Sequence, residues 1–184
     1  QLGGSERQVS VSGTHVGWAG DSESVLIRDQ ERQAGPFGIH QVFLDTLERR
    51  LLTQAPVGAG DWRFEVSPDG RTLAFIRYER EGIADLYTVP MTGGKPRRLS
   101  NWNAALTGVS WTTDGRELVF SVEGPITGRL WRIDANNATP SRGSPIPDIP
   151  DAAVAPVQQT AATIARTVAP IASQSPGEVI RAED

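Results

Sequence analysis

A hairpin sequence that occurs twice constrains the fold of this chain more than any other feature. The stretch FEVSPDGRTLAFIR occupies residues 64–77, and a close copy, VSWTTDGRELVFSV, occupies residues 109–122. The copies align on Asp69 and Asp114, which lie 45 residues apart. Repetition at such a period predicts that one small structural unit recurs along the chain.

Each copy is predicted to form a strand, a tight turn and a second strand. Pro68 presets the φ angle of the first turn position, and Gly70 accepts the positive φ of a left-handed residue. A type I turn followed by a left-handed glycine is a common hairpin loop. The residues assigned to the two turns are Ser67, Pro68, Asp69, Gly70, Asp114 and Gly115.

Further strands follow once the period is known. WAGDSESVLIRD, at residues 18–29, places Asp21 opposite Asp69 and predicts an earlier copy of the hairpin. After two of the outgoing strands comes a basic and aliphatic segment, ERRLLT at 48–53 and KPRRLS at 95–100. The outgoing strands that follow the three hairpins carry the aligned aromatic residues Phe43, Tyr87 and Trp131.

Four short strands over about 45 residues are the content of one β-propeller blade. We therefore predict an all-β fold: a β-propeller of about four blades, each of four antiparallel strands, present as a partial propeller or fragment. Three blades are predicted at residues 9–55, 56–104 and 105–138, with the propeller region covering 1–134. Two unrelated hairpins of a β-sandwich would not explain why turn, aromatic strand and basic strand recur in the same order.

The last part of the chain changes in composition. TPSRGSPIPDIPD, at residues 139–151, predicts an extended connection stiffened by proline. Residues 152–184 leave two interpretations open: a degenerate fourth blade, or a disordered tail whose small residues bury too little area to offset chain entropy. The chain begins QLGG, without methionine, so we expect an excised or processed fragment.

Composition limits the classes of partner. The 184 residues carry a net charge of −4 and no basic block, which argues against direct nucleic-acid binding. Cysteine is absent from the sequence, so disulfides and thiolate metal sites are excluded. No apolar run approaches the length of a membrane-spanning helix, and no signal peptide is recognisable. The compartment is left open, periplasmic or cytoplasmic.

A search for chemistry predicts no catalytic, cofactor or metal site, and hence no enzyme. His15 is expected to make a local contact beside a blade strand, and His40 is expected to face solvent. The two histidines lack the further ligands that zinc needs, and no G-x-S-x-G elbow or phosphate-binding glycine loop occurs. Asp21, Asp69 and Asp114 recur in register, but the turns of blades that radiate outward do not converge on one ion.

Partner contacts are predicted instead. Trp62 and Trp102 are expected in inter-blade loops, where exposed rings would contact a partner. We expect that partner to be a protein or a small ligand at one propeller face. The arginines of KPRR and ERR are expected to be solvated strand edges that discourage pairing with other chains. Terminal blades without a neighbour would instead favour self-association through their edges.

These motifs resemble the TolB-like propeller repeat, which is characterised by SPDG hairpins followed by an apolar and aromatic strand. The resemblance is close across residues 62–134, moderate over 16–53 and poor over 152–184. The segments DLYTVPMTGGKPRRLS and WTTDGRELVFS resemble most the C-terminal propeller of bacterial winged-helix transcriptional regulators.

The resemblance implies a binding or scaffold module without catalysis, either the sensing or protein-interaction region of a bacterial regulator or an envelope scaffold. An alternative is the propeller that gates substrates in prolyl-oligopeptidase-type serine peptidases. In the regulator a winged helix would precede residue 1, and in the peptidase the catalytic Ser, Asp and His would lie outside this chain. The fold does not decide between them, because the module recurs in unlike contexts.

Overall fold

The repeats fold into separate antiparallel sheets. A computed structural model describes residues 15–30, 34–123 and 129–147, and in this part of the chain twelve β-strands form three sheets of four strands, paired in chain order. The first sheet consists of β1 (Val16–Trp18), β2 (Ser24–Gln30), β3 (Phe37–Phe43) and β4 (Arg49–Thr53). The second consists of β5 (Gly60–Val66), β6 (Thr72–Arg80), β7 (Ile83–Pro90) and β8 (Arg97–Arg98). The third consists of β9 (Leu106–Trp111), β10 (Glu117–Val122), β11 (Arg129–Asp134) and β12 (Ser144–Pro145).

Each sheet has the make-up of one propeller blade, which confirms the predicted all-β fold. The predicted fourth blade or tail, at residues 152–184, lies outside the described residues. Among the residues that are described, no helix is long and apolar enough to cross a membrane.

The second sheet is buried on both faces. Leu73 and Phe75 of β6 belong to a core cluster shared with the first sheet, whereas Ala74 and Ile76 belong to a cluster shared with the third sheet. Successive side chains of a strand point to opposite faces, so a strand between two neighbours has to be apolar at every position. This explains the continuous apolar run LAFI in β6.

The hairpin turns of the second and third sheets are closed by the same hydrogen bonds. Ser67 Oγ donates to Asp69 Oδ1 over 2.5 Å and accepts the N–H of Thr72 over 2.9 Å. In the third sheet, Thr112 Oγ1 donates to Asp114 Oδ1 over 2.7 Å. In both turns the carboxylate also accepts the N–H of the residue two positions later. Each turn is therefore closed by hydrogen bonds among its own residues.

The residue after the turn aspartate has a left-handed backbone in all three sheets. The φ angle is 72° at Gly70, 69° at Gly115 and 60° at Ser22, which occupies the same position in the first sheet. Ser22 follows Asp21, whose Oδ1 accepts the N–H of Ser24 over 2.9 Å. A non-glycine residue costs roughly 1–2 kcal/mol in this conformation, so the first turn is the strained copy.

Gly70→Val is therefore expected to lower the free energy of unfolding by about 1–2 kcal/mol. A Cβ at Gly70 would meet no atom within 4 Å, so the loss comes from backbone conformation and not from a clash. Urea unfolding followed by tryptophan fluorescence measures it. The matched control is Ser22→Gly, which should raise stability because it relieves the same strain in the first sheet. A Gly70→Val protein that unfolds at the wild-type urea concentration would contradict the left-handed turn.

The structure corrects one alignment of the repeats: the first-sheet counterpart of Tyr87 is His40, not Phe43. His40 pairs with Ile27 in the same way as Tyr87 pairs with Phe75. His40 is accordingly buried, with 5% exposed, and the expectation that it faces solvent is wrong. The alignment was wrong because it assumed a constant step of 44 residues between the outgoing strands, whereas Ile27 and Phe75 lie 48 residues apart and their partners His40 and Tyr87 lie 47 apart.

The third sheet continues past the predicted boundary at residue 138. β12 pairs with β11, and the N–H of Ile146 donates to the carbonyl of Leu130 over 2.9 Å. Part of the segment 139–151, predicted to be a connection only, thus supplies the fourth strand of the blade. Pro145 is tolerated there because a residue at a sheet edge can leave its missing N–H on the solvent side.

Most basic side chains of β4 and β8 are exposed, as the sequence predicted, but two of them also make contacts between sheets. Arg50 Nη2 donates to the carbonyl of Met91 over 2.7 Å, and Arg97 Nη1 donates to the carbonyl of Asn137 over 2.6 Å. Arg50 and Arg97 occupy equivalent positions, opposite Gln41 and Thr88. Each arginine therefore joins its own sheet to the backbone of the following sheet.

Candidate functional site

A cluster of basic and aromatic side chains lies where the first and second sheets meet. In antiparallel sheets the starts of the first strands and the ends of the second strands lie at the same end, opposite the hairpin turns. The residues that meet at this end are His15 just before β1, Arg28 in β2, Phe37 in β3, Trp62 and Arg63 in β5, and Tyr78 in β6.

A β-bulge in β5 sets the direction of two of these side chains. The register between β5 and β6 shifts after Asp61, so that two successive residues, Trp62 and Arg63, oppose one residue of β6. Both are exposed, although regular alternation would turn one of them towards a neighbouring sheet. Bulges re-aim side chains in this way and are frequent beside binding sites.

Arg28 is a nearly buried cation held between two aromatic rings. Its guanidinium carbon lies 3.5 Å from the ring centroid of Phe37 and 3.8 Å from that of Trp62. Arg28 Nε donates to the backbone carbonyl of Asp61 over 2.9 Å. Only 5% of the residue is exposed. This burial lowers the pKa of Arg28 to about 10, against the opposing effect of the Asp61 carboxylate. Arg28 therefore remains charged at neutral pH in a partly dehydrated position.

A buried ion pair fixes the strand segment that carries the bulge. Arg77 Nε donates to Asp61 Oδ1 over 2.6 Å, and Nη2 donates to Oδ2 over 2.9 Å. The Asp61 side chain is 0% exposed and that of Arg77 is 10% exposed. Bidentate pairs of this kind are strong and geometrically specific. Both carboxylate oxygens accept from Arg77, which holds β5 in place directly before Trp62.

His15 experiences the positive field of the cluster. Burial lowers the pKa of His15, and the charges of Arg63 and Arg28 lower it further, whereas a hydrogen bond with the backbone of Phe64 raises it. The rings of His15 and Phe64 meet edge-on with centroids 4.6 Å apart. The imidazole is therefore predominantly neutral at pH 7.

Two cavities open beside Arg28 and Trp62, and these two side chains form a wall of both. The first, which we call the basic cavity, has a volume of about 130 Å³ and is lined by His15, Arg28, Trp62 and Arg63. The second, which we call the aromatic cavity, has a volume of about 320 Å³ and is lined by Arg28, Gly60, Trp62 and Tyr78. Tyr78 donates its hydroxyl to the carbonyl of Leu106 over 2.8 Å, which fixes its ring.

A larger cavity of about 470 Å³ lies along β3 and β4 and is lined by Gly35, Pro36, Gly38, His40, Leu51, Gln54, Ala55, Pro56 and Val57. None of the described lining residues is an aspartate, glutamate, lysine or arginine. A pocket that orients a ligand needs a few well-placed polar groups in addition to apolar walls. The two cavities beside Arg28 meet this requirement better, because they combine fixed charge with aromatic surface.

The predicted turn residues do not take part in this site. Asp21, Asp69 and Asp114 each lie in a separate hairpin turn, away from the end that carries the cavities. Within residues 15–30, 34–123 and 129–147, no three His, Cys, Asp or Glu side chains come together in a way that could hold a metal ion.

Of the two tryptophans predicted to contact a partner, only Trp62 belongs to the cluster. It is 42% exposed, and it lies in β5 and not in an inter-blade loop. Trp102 does lie in the connection between β8 and β9, but its ring packs edge-on against Trp131 with centroids 4.5 Å apart. Its Nε1 donates to the carbonyl of Arg142 over 2.8 Å. The structure therefore gives Trp102 intramolecular contacts on both its ring and its polar atom.

Sequence reasoning did not single out Arg28, Arg63 or Tyr78. One usable signal was the pair of charged residues, Asp61 and Arg77, in strands that are otherwise apolar at their buried positions. A charge is rarely buried unless it is paired, so two such residues indicate a specific local arrangement. The bulge itself has no sequence signature of this strength, since no glycine marks it.

The three four-stranded sheets define this part of the chain as a β-propeller. No family model matches the sequence. Among curated proteins, Tricorn protease homolog 1 of Streptomyces coelicolor is 34% identical over 101 residues, which cover 54% of this chain and 9% of that protein. The Uncharacterized peptidase YuxL of Bacillus subtilis is 42% identical over 57 residues, which cover 30% of this chain and 8% of that protein. The chain thus spans less than a tenth of the length of these relatives.

Among solved structures, the chain is similar to TolB from Acinetobacter baumannii. The TM-score is 0.54 at 21% sequence identity, and the alignment covers 65% of this chain and 29% of that chain. Similarity at this level of identity concerns the fold alone. Together with the peptidase relatives, it supports the assignment of the described sheets to a propeller class in which TolB-like and peptidase-type members both occur.

Proposed function

We propose that this propeller is a non-catalytic binding module that holds a polypeptide at the end where the first and second sheets meet. The observation that carries the proposal is the exposed Trp62 ring, which a bulge and a buried ion pair hold over two cavities. Aromatic anchors in pockets supply most of the energy in protein interfaces. A rigid sheet framework that presents such an anchor can bind a partner without the cost of ordering a loop.

Two biological settings fit a binding module of this kind. One is the sensing or interaction region of a bacterial regulator, supported by the amino-acid sequence of the repeats at residues 85–100 and 111–121. The other is an envelope scaffold, supported by the similarity of fold to TolB. In both, the propeller would act by holding a partner, and the chemistry of any response would belong to another domain.

The binding role predicts a large effect of one tryptophan. In a fluorescence-polarisation screen with a library of labelled random peptides, we expect wild-type hits whose affinity falls about thirtyfold in Trp62→Ala, as is typical of an aromatic hot spot worth ~2 kcal/mol. The matched control is Trp18→Ala, which removes another tryptophan, 63% exposed, from β1. If the hits bound Trp62→Ala as tightly as wild type, Trp62 would not be the binding anchor and the proposed site would be wrong.

A second candidate function is the substrate-gating propeller of a serine peptidase. It is favoured by the sequence similarity to Tricorn protease homolog 1 and to YuxL. The same reading frame should then encode a catalytic serine elbow, whereas a winged helix there would favour the regulator. Neither candidate function makes residues 1–184 catalytic by themselves. Incubation of residues 1–184 with fluorogenic peptides tests this, because peptide hydrolysis without an added partner would contradict a purely binding role.

A further inference from the structure

We propose that the aromatic cavity recognises a proline ring in a ligand segment that adopts the extended polyproline conformation. This inference rests on the proposed binding function and adds the chemical class of the polypeptide. The proline ring would fill the corner between Trp62 and Tyr78, and a carbonyl of the ligand backbone would accept the indole N–H of Trp62. Both contacts use side chains that line the cavity.

Two aromatic rings form this corner. The centroids of the Trp62 and Tyr78 rings lie 6.3 Å apart, and the two ring planes meet at 71°. A compact ring that enters such a corner can stack on one plane while its edge touches the other, which is how aromatic grooves hold proline-rich segments. The cavity volume of about 320 Å³ falls within the usual range of ligand pockets, roughly 300–1,000 Å³. The corner therefore has room for a five-membered ring and for the backbone beside it.

Both rings are fixed before a ligand arrives. Tyr78 donates its hydroxyl to a backbone carbonyl of β9 over 2.8 Å. The Trp62 ring lies against the guanidinium group of Arg28, whose carbon is 3.8 Å from the ring centroid. Directly before Trp62 in the chain, the carboxylate of Asp61 accepts two hydrogen bonds from Arg77. A preformed corner binds a ligand without the cost of ordering its own side chains.

A proline-rich segment matches the corner in shape, hydrogen bonding and entropy. Its pyrrolidine ring is compact, and proline has no backbone N–H, so burial of the ring leaves no backbone donor without a partner. The carbonyls of a polyproline helix make no internal hydrogen bonds, and the indole Nε1 of Trp62 can only donate. The segment is also extended before it binds, so it loses less chain entropy than a flexible peptide would.

The third sheet shows that the blade does not need the two rings in order to fold. Thr107 and Glu123 occupy the positions of Trp62 and Tyr78, 45 residues later in the chain. The register of β9 with β10 also shifts beside Thr107, as that of β5 with β6 shifts beside Trp62. Because the strand forms with a small polar residue at this position, a substitution of Trp62 can test binding in a folded protein.

The test compares three blocked peptides as ligands of the protein of residues 1–184. The first is acetyl-hexaproline amide. Acetyl-hexasarcosine amide consists of residues that also lack a backbone N–H but carry no pyrrolidine ring, and acetyl-Gly-Gly-Phe-Gly-Gly-amide offers a large apolar side chain on a flexible chain. Calorimetry gives the affinities, and the indole N–H signal of Trp62 in nuclear magnetic resonance locates the bound peptide. We expect hexaproline to bind about tenfold more tightly than hexasarcosine, because a buried proline ring contributes two more carbons.

A pair of tryptophan variants tests the hydrogen bond separately from the ring. Trp62→Phe keeps an aromatic ring and removes the indole N–H, so the affinity for hexaproline should fall about fivefold, as for one neutral hydrogen bond. The matched control is Trp18→Phe, which makes the same change at a tryptophan of β1 that is 63% exposed, and hexaproline should bind it as it binds wild type. Unchanged affinity in Trp62→Phe would show that the indole does not donate to the ligand.

The outcomes separate this inference from the proposed function. Tighter binding of hexaproline than of the other two peptides, with a shift of the Trp62 indole signal, supports the proline class. Equal binding of hexaproline and hexasarcosine, or tighter binding of the phenylalanine peptide, overturns that class while the Trp62 site stands. If hexaproline does not bind but library peptides still lose affinity in Trp62→Ala, the ligand class is wrong and the binding function survives. If neither hexaproline nor any library peptide shifts the Trp62 signal, both are overturned.

Discussion

Replacing Asp61 with alanine is expected to lower the free energy of unfolding by about 3–5 kcal/mol, the cost of leaving a buried partner charge uncompensated. Asp61 is fully buried and accepts two hydrogen bonds from Arg77, whose side chain is 10% exposed. Without the carboxylate, Arg77 has to remain dehydrated or draw water into the sheet. Chemical unfolding followed by circular dichroism measures the loss.

The matched control for this variant is Glu117→Ala in the third sheet. Glu117 Oε2 lies 3.7 Å from Arg132 Nη1, and both side chains are well exposed, so its loss should cost about 0–1 kcal/mol. The variant keeps the backbone carbonyl that accepts from Arg28 Nε but loses the carboxylate that anchors the start of the bulge, so the walls of the cavities should lose their fixed position. Similar losses for the two variants would show that the Asp61–Arg77 pair is hydrated, contrary to the structure.

Phe75→Ala is expected to have an effect of similar size, about 3–5 kcal/mol, because it opens a cavity in a packed core. Phe75 is 0% exposed and belongs to the cluster between the first and second sheets. Its ring also stacks on Tyr87 with centroids 5.8 Å apart. The variant loses buried area and the aromatic contact at once. Thermal unfolding by calorimetry gives the loss.

Phe43→Ala provides the comparison for Phe75. It removes the same atoms at the end of β3, where the side chain is only partly buried, so the loss should be clearly smaller. The predicted alignment had treated Phe43 as the counterpart of Tyr87. If Phe43→Ala destabilised the protein as much as Phe75→Ala, that alignment would be right and the register of β2 with β3 would be wrong.

The features that sequence reasoning predicted well are those specified by neighbouring residues. Each hairpin turn is closed by hydrogen bonds among residues no more than five positions apart, such as those of Ser67 with Asp69 and Thr72. Local chemistry of this kind is written in the sequence itself. The apolar run of β6 likewise follows directly from burial on both faces.

The features that were mispredicted or missed depend on register or on contacts between sheets. His40 takes the aromatic position of the first sheet because β3 pairs with β2 in a register that places His40 opposite Ile27, and alignment on the aromatic Phe43 could not detect that register. Arg50 and Arg97 bind carbonyls of the next sheet, 41 and 40 residues away. An arginine beside acidic residues looks the same in a sequence whether it is solvated or bound to distant backbone.

The candidate site was predictable only in part, for a similar reason. Trp62 stood out as an aromatic residue between repeats, but its partner Arg28 is 34 positions earlier and belongs to another sheet. The two meet because β5 bulges after Asp61, and the bulge is a property of pairing between strands. The site occupies positions where the second repeat departs from the third, so a search for what the repeats share passes over it.

The burial of the second sheet on both faces has a consequence for how the array loses structure. Each core cluster includes residues of the second sheet, together with residues of either the first or the third. Local opening of an outer sheet gives up one cluster, whereas opening of the middle sheet gives up both. In arrays stabilised by nearest neighbours, such a difference sets the order of fraying. Excursions from the native state should therefore begin in the outer sheets, and the Trp62 bulge, in the middle sheet, should keep its shape while they occur.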